Sequence, residues 1–318
     1  MLVNGAYSNK VAVTSGVPQG TVMGPEMFII YIDDLITICS KHDCEYKLFA
    51  DDAKISKHIK CETDKAILQS CLYDVSLWSQ LWQIEIAADK TFMLHISNNR
   101  HSLASTYTIN ALVIKQVHEI RDLGIMVSDD LKFSKHCNFV AKKAHQRAAL
   151  ILRSFVSKDT ELITKAFNTY VRPLLEFNSQ VWSPFLKKDI NTIERVQKYF
   201  TRIICTRAGH GYLQYEDRLQ LLNIDKLHTR RLRLDMQLMF SIINRYSLTN
   251  IRNELSFLTS SVTRGHKHKL RKKSCRLDIY KYFFTNRCVN SWNNLPSNVI
   301  NSSTIGAFKD RLQYCILT

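Results

Sequence analysis

Two adjacent carboxylates, Asp51 and Asp52, sit inside Tyr46-Lys47-Leu48-Phe49-Ala50-Asp51-Asp52-Ala53-Lys54-Ile55-Ser56. Two short, largely apolar runs flank the pair, a pattern that predicts strand, tight turn, strand. A hairpin that lifts both acids to its tip holds two hard oxygen ligands rigidly. Mg²⁺ takes one or two carboxylates and completes its octahedron with water and substrate phosphate. Phosphoryl transfer is therefore the chemistry this pair suits. Taken alone, an Asp-Asp pair is more often solvated turn chemistry, because Asp is favoured in turns for its own hydrogen bonds.

A second stretch changes that balance. Thr14-Ser15-Gly16-Val17-Pro18-Gln19-Gly20-Thr21-Val22-Met23-Gly24-Pro25 packs three glycines and two prolines into twelve residues, and Gln19 precedes Asp51 by 32 positions. Such a loop lets backbone approach a ligand closely, and Pro25 suits the first turn of a following helix. At this separation, Ser-Gly-Val-Pro-Gln-Gly and Phe-Ala-Asp-Asp resemble the reverse transcriptases of non-LTR (LINE-type) retrotransposons, jockey-like elements in particular. The resemblance implies that Ser15, Gly16, Pro18, Gln19 and Gly20, with Phe49 and Ala50, line the pocket for template and incoming nucleotide. It implies that Asp51 and Asp52 bind Mg²⁺, with Mn²⁺ as an alternative.

The elements that would position these residues follow along the chain. Ala6 to Val13 predicts a strand entering the glycine-rich loop. Tyr31-Ile32-Asp33-Asp34-Leu35 spells a retroviral-like Tyr-x-Asp-Asp, but it lies only 12 residues past Gln19. Within Glu26 to Ser40, Phe28, Tyr31, Leu35 and Ile38 keep three- and four-residue steps, so the segment predicts an amphipathic helix with acids on its outer face. Asp33 and Asp34 accordingly receive no catalytic role. Thr63 to Trp82 predicts a helix with Thr63 and Asp64 at its N-terminal end. Ala88 to Ile96 runs from a turn into a strand and resembles the family's Lys-Thr motif. That places Lys90 near the incoming nucleotide as a general acid for pyrophosphate; a surface lysine at a strand start is the plain alternative. Residues 98–118 predict a peripheral strand pair. Ile120 to Val127 resembles the primer grip, with Leu123 and Gly124 at the primer terminus and Gly124 letting the strand backbone pass close. Asp129-Asp130 is expected to be a turn.

From Phe133 onward the pattern is helical, over 134–156, 159–177, 190–206 and 224–246. Lys142, Lys143 and Arg147 lie on the first of these, and Arg230, Arg231 and Arg233 cluster on the last. Residues 247–263 are weakly patterned and predict a linker. The stretch from Arg264 to Arg276 then carries seven Lys/Arg in 13 residues with no acid, among them Lys269, Arg271, Lys272 and Lys273. It is either a nucleic-acid patch or a nuclear localisation signal. The final Tyr282-Phe283-Phe284 to Leu295-Pro296 stretch and Phe308-Lys309 match the C-terminal signature of jockey-like elements.

The net charge of +16 is uneven: residues 1–130 carry −5 and residues 131–318 carry +21. An acidic, metal-collecting half joined to a basic half fits a polymerase that holds phosphate backbones by counterion release. The longest apolar runs are about six residues, too short to span a membrane, and no secretory leader opens the chain. Nine cysteines without a Cys-x-x-Cys pair predict reduced thiols in an intracellular protein, nuclear or cytoplasmic. His136-Cys137 and Cys275/Cys288 are the nearest approaches to metal-ligand clusters, and buried or exposed free thiols are the plainer reading.

The expected fold is α+β: a partial polymerase palm (1–130, an antiparallel sheet with packed helices), a helical thumb-like region (131–246), a linker (247–263) and a basic C-terminal region (264–318). The expected partners are an RNA template, a DNA primer and deoxynucleoside triphosphates. In this family a further Asp comes from an earlier motif A, yet only 14 residues precede Ser15 and none is acidic. The chain is therefore expected to be the C-terminal part of a LINE reading frame, inactive by itself, with an exposed sheet edge. The alternatives are a non-catalytic nucleic-acid-binding module or a transposon relic.

Overall fold

A pair of short antiparallel strands gains little stability in water unless a helix covers one face, and the first half of this chain is arranged around that need. The computed structural model describes residues 2–3, 5–7, 9, 12, 20–97, 105–247, 250–258 and 265–315, with backbone only at 2, 3 and 250. The chain divides into two compact units, Met1–His118 and Glu119–Thr318.

In the first unit, strands β1 (Leu2–Val3) and β2 (Ala6–Tyr7) form a small hairpin. Helices α1 (Met23–Ile32) and α2 (Asp34–Lys41) follow, separated only by Asp33, which keeps helical angles. Its N–H bonds to the Ile30 carbonyl at 3.3 Å, an i−3 bond that tightens the turn there. The expected helix over Glu26 to Ser40 is thus present with one constriction, Pro25 sits in its first turn, and Asp33 and Asp34 are exposed. Strands β3 (Glu45–Phe49) and β4 (Asp52–Ser56) form the acidic hairpin.

Helix α3 (Glu62–Leu81) starts where Asp64 accepts the N–H groups of Lys60 at 2.8 Å and Cys61 at 3.0 Å. These bonds hold the Asp64 carboxyl below the usual range. Its buried Cys71 and Val75 pack with Cys39 and Cys44 and, partly, with Tyr46 and Ile55 of the hairpin. After a 3₁₀ turn, Ala88–Lys90, come β5 (Phe92–Leu94), β6 (Thr108–Ile109), β7 (Leu112–Val113) and β8 (Lys115–Val117). Gln69 on α3 clamps β6 by bonding both the N–H and the carbonyl of Thr108.

A single antiparallel palm sheet is not formed among the described residues. The strands pair as isolated two-stranded ladders, and β5 with β8 is parallel. The first unit's ladders are two to five residue pairs long, and two of them lean on α3 through the acidic hairpin's core and the Gln69 clamp. Both edges of the acidic hairpin are free of a further strand among the described residues.

The second unit opens with hairpin β9 (Glu119–Asp122) and β10 (Ile125–Ser128). The Asp129-Asp130 turn follows as expected, with Asp130 accepting from Ser128 Oγ at 2.7 Å and Lys132 N at 2.9 Å. Helices α4 (Ser134–Ser154), α5 (Thr160–Tyr170), α6 (Arg172–Glu176), α7 (Ser179–Trp182), α8 (Lys187–Arg207), α9 (Tyr215–Leu221) and α10 (Leu227–Ile243) come next. The expected single helix over 159–177 is split at Val171. Pro173 has no N–H to offer the preceding turn and so belongs to a new start. Short helices α11 (Asp278–Lys281), α12 (Phe284–Arg287), α13 (Val289–Asn293), α14 (Ser297–Ile300) and α15 (Ile305–Leu312) end the unit.

Two apolar cores meet on α10. Val140, Ala144, Ala148, Phe167, Ile193, Phe200 and Leu227 lie in the first; Met236, Phe240, Trp292 and Phe308 lie in the second. Leu255, from the stretch expected to be a linker, is buried in the second core. Between the cores, Asp235 is 2% exposed and accepts from Arg287 Nη2 at 2.9 Å and Nε at 3.2 Å. All nine cysteines are free thiols. Burial pushes the Cys44 and Cys71 thiols up to about 11 and Cys137 to about 12, so these groups stay protonated and unreactive.

Two consequences are measurable. Removing one partner of the buried pair strands a charge, so Arg287→Ala should cost about 3–5 kcal/mol in urea unfolding. The double replacement Asp235→Leu/Arg287→Met should recover most of that loss. His136 is fully buried against Trp182, accepts the Met126 N–H at Nδ1 (3.1 Å), and burial lowers its pKa to about 4. A depressed histidine contributes stability that is present above its unfolded pKa and is lost as pH falls. Unfolding free energy should therefore drop by about 2 kcal/mol between pH 7 and pH 5, and His136→Gln should flatten that part of the profile.

Candidate functional site

The acidic hairpin is held at its base and free at its tip. Cross-strand pairs run from Glu45–Ser56 to Phe49–Asp52, which leaves Ala50 and Asp51 as a two-residue loop. Ala50 takes φ of 50° while Asp51 does not cross to positive φ. A positive φ at the first loop position is what the twist of paired strands asks of a hairpin turn. Phe49, Ala50, Asp51 and Asp52 are all exposed, Phe49 at 62%. At the base, His42 Nε2 lies 2.8 Å from Asp74 Oδ2 on α3, and this bond holds the Asp74 carboxyl below the usual range. Lys57 Nζ bonds the carbonyls of Asp43 at 2.8 Å and His42 at 3.2 Å.

Two exposed carboxylates are a donor set of the right hardness for a divalent cation that keeps much of its shell as water and phosphate. No third His, Cys, Asp or Glu joins them in a metal-holding group among the described residues. Lys90 ends the 3₁₀ turn ahead of β5, exposed and without an ion pair among the described residues. Its local setting is the expected turn into a strand. Ser15, Gly16, Pro18 and Gln19 lie outside the described residues; Gly20 is exposed at φ of 81°.

Leu123 and Gly124 are placed differently from expectation. They form the two-residue loop between β9 and β10, at φ of 43° and 90°, the pair of positive angles of a type I′ turn. Gly124 is thus a turn tip and not a point inside a strand; a Cβ there would meet Phe177 Cε1 at 3.3 Å.

The basic residues separate into two kinds. Lys142, Lys143 and Arg147 are exposed on the outer face of α4. Lys143 and Arg147, with Gln146, Leu150 and Leu174, line an open groove of about 430 Å³. Lys143 also lies over the Phe139 ring at 4.5 Å. The arginines of α10 are committed inside the fold. Arg230 forks onto Glu176, which Arg172 also approaches at 3.7 Å, and Arg233 pairs with Asp225 and bonds the Gln313 carbonyl at 3.0 Å. Arg231 is 1% exposed and out of reach of any phosphate. Its inclusion among nucleic-acid ligands is corrected by this burial. Successive helix positions turn by about 100°, so three neighbouring arginines cannot share one face.

Lys269 is half-buried, while Arg271, Lys272 and Lys273 are exposed on a segment fastened by the side chains of Asn286 and Asn293. Sequence reasoning missed these two asparagines. They lie in the Asn-rich run of the C-terminal signature, where an amide placed to bond backbone would be the only hint.

Residues 2–127 match the reverse transcriptase (RNA-dependent DNA polymerase) family. The chain is 26% identical over 209 residues to the protein named "Probable RNA-directed DNA polymerase from transposon X-element" of Drosophila melanogaster, covering 63% of this chain and 22% of that protein. It is 25% identical over 236 residues to the RNA-directed DNA polymerase from mobile element jockey of the same species, covering 71% and 25%. An uncharacterised Caenorhabditis elegans protein is 30% identical over 115 residues, 36% of this chain and 58% of that one. The chain thus spans about a quarter of the length of the transposon polymerases it matches, and no solved structure matches it. The aligned 209 and 236 residues exceed the family domain, so the likeness runs on into the helical unit. Together with Phe49-Ala50-Asp51-Asp52 at the turn of a hairpin, these matches show a reverse transcriptase domain over residues 2–127 and a likeness to the polymerases of the X-element and jockey transposons.

Proposed function

We propose that this chain is the C-terminal portion of an RNA-directed DNA polymerase and carries out template-directed nucleotidyl transfer only as part of its complete parent. The observation that carries the reading is the exposed Asp51–Asp52 tip on a hairpin anchored at its base. Asp51 and Asp52 would hold Mg²⁺, or Mn²⁺ in its place, and that metal would supply activation of the primer hydroxyl and charge stabilisation at the departing pyrophosphate. The left-handed turn at Ala50 projects Asp51 beyond the last ladder pair, Phe49–Asp52, whose Asp52 lies directly after it and whose Phe49 offers its ring beside them. Lys90 holds a proton for the leaving pyrophosphate, and Gln19 and Gly20 shape the nucleotide pocket.

Two carboxylates without a third leave the donor set short, so a further acid comes from another part of the parent. An apolar stripe on α1 supports this: Met23, Met27 and Ile30 are 49–76% exposed, an uncovered strip that a remaining polymerase segment would bury. The template–primer duplex, RNA paired with DNA, lies along the α4 face of Lys142, Lys143 and Arg147. The same face favours a second reading, a non-catalytic nucleic-acid-binding module. Among the described residues no helix is long and apolar enough to cross a membrane.

Joined to the matching N-terminal portion of a jockey-like polymerase, the chain should extend a primer on RNA with deoxynucleoside triphosphates. Asp51→Ala or Asp52→Ala should lower extension by about 10³-fold, the several kcal/mol that a metal-held charge is worth. A folded, RNA-bound complex without extension would overturn the polymerase reading and leave the binding module. Charge removal at Lys142, Lys143 and Arg147 to Gln should weaken duplex binding and reduce the salt slope of log K by about 3. Arg230→Gln should leave that slope unchanged and lower the unfolding midpoint instead.

A further inference from the structure

The basic stretch after Gly265 is laid down as a fixed strip on the second core. His266 is buried and its Nε2 donates to the Trp292 carbonyl at 3.1 Å, while Trp292 Nε1 donates to the His268 carbonyl at 2.8 Å. Leu270 is 1% exposed and its backbone is gripped at both ends by one amide. Its N–H donates to Asn293 Oδ1 at 2.8 Å and its carbonyl accepts from Asn293 Nδ2 at 2.7 Å. On the other side, Leu258 N–H donates to the Lys269 carbonyl at 3.0 Å and Arg271 N–H to the Ser256 carbonyl at 2.7 Å. A linear signal peptide must leave the surface to lie in a receptor; this one has its backbone groups already spent.

What the strip leaves outside is charge. Arg271, Lys272 and Arg276 are exposed and make no ion pair among the described residues, and Lys273 lies 3.9 Å from Glu254. Asp278 is the first acid to follow. The strip also leads directly into exposed rings. Asn286 accepts the Lys273 N–H at 3.0 Å while its Nδ2 reaches Cys275 Sγ and the Lys281 carbonyl, each at 3.4 Å. One buried amide therefore joins the basic strip to α11 and the turn after it. There Tyr280 is 64% exposed and Phe283 51% exposed, although Phe284 beside them is buried.

Exposed cations next to exposed aromatic faces suit one kind of polyanion. A duplex keeps its base faces stacked inside and offers phosphates and groove edges, whereas a single strand offers phosphates and unpaired bases whose faces stack on rings. We infer that the surface formed by Arg271, Lys272, Lys273 and Arg276 with Tyr280 and Phe283 binds single-stranded nucleic acid. The cations track the phosphates, and the two rings stack the bases. This surface lies wholly within the second unit and does not rest on the polymerase reading of Asp51 and Asp52.

The test uses the full chain, a fluorescein-labelled 15-nucleotide oligouridylate and a duplex of the same length, with anisotropy measured at several salt concentrations. Tyr280→Ala and Phe283→Ala should each weaken oligouridylate binding about tenfold, leave its salt slope unchanged and leave duplex binding unchanged. Tyr280→Phe should retain the affinity. Arg271→Gln/Lys272→Gln/Arg276→Gln should lower the salt slope for the single strand by about 2. All these side chains are exposed, and an unchanged thermal midpoint confirms folding. Alanine variants that bind oligouridylate as the parent does, or that lose single strand and duplex alike, would overturn the proposal. Neither result bears on primer extension by the completed polymerase.

Discussion

A carboxylate buried between two apolar cores is the constraint on which the second unit depends. Asp235 lies on α10 where the core under α4 and α8 gives way to the core around Trp292 and Phe308. Even with Arg287 bonded to it, burial raises its pKa, because the desolvation of a carboxylate there exceeds what one guanidinium returns. The pair can persist only if α12 stays docked on α10. Arg287 extends the link by donating to the Gln180 carbonyl on α7 at 2.8 Å. The C-terminal helices are in this way part of the same unit as the α4–α8 bundle.

The same helix shows how charge is divided between structure and surface. On α10, Arg230, Arg231 and Arg233 serve the fold, with Glu176, burial and Asp225 as their respective settings. On α4, Lys142, Lys143 and Arg147 have no such duty and face solvent. A net positive unit can therefore be a poor guide to which cations meet phosphate. Those with an internal carboxylate are already neutralised, and counterion release draws only on the remainder.

The acidic hairpin applies a related division to geometry. Its lower half is packed on α3 through Tyr46, Ile55, Cys71 and Val75 and tied by His42 and Lys57. Its upper half, from Phe49 through Asp52, buries nothing. A site that must accept a hydrated cation and a triphosphate needs this arrangement, since rigidity comes from the base and solvent access from the tip.

Much of this was legible residue by residue. The helical pattern over 134–156 identified α4, and that over 190–206 identified α8. Flanking apolar runs placed Asp51 and Asp52 at a turn, and the Ser-Gly-Val-Pro-Gln-Gly and Phe-Ala-Asp-Asp motifs carried the ancestry. These succeed because periodicity and turn chemistry are local, and because a motif needs no fold to be recognised. Strand partners, the break at Val171, the turn at Leu123-Gly124 and the anchoring of 265–275 were not legible in the same way. Strand placement and the anchoring of 265–275 depend on what a distant residue does: Gln69 on Thr108 and Asn293 on Leu270. The sequence by itself determined the likeness to reverse transcriptases, the long helices and the acidic turn. Only the tertiary structure decided which cations remain for a polyanion, because desolvation and ion pairing are set by neighbours far away along the chain.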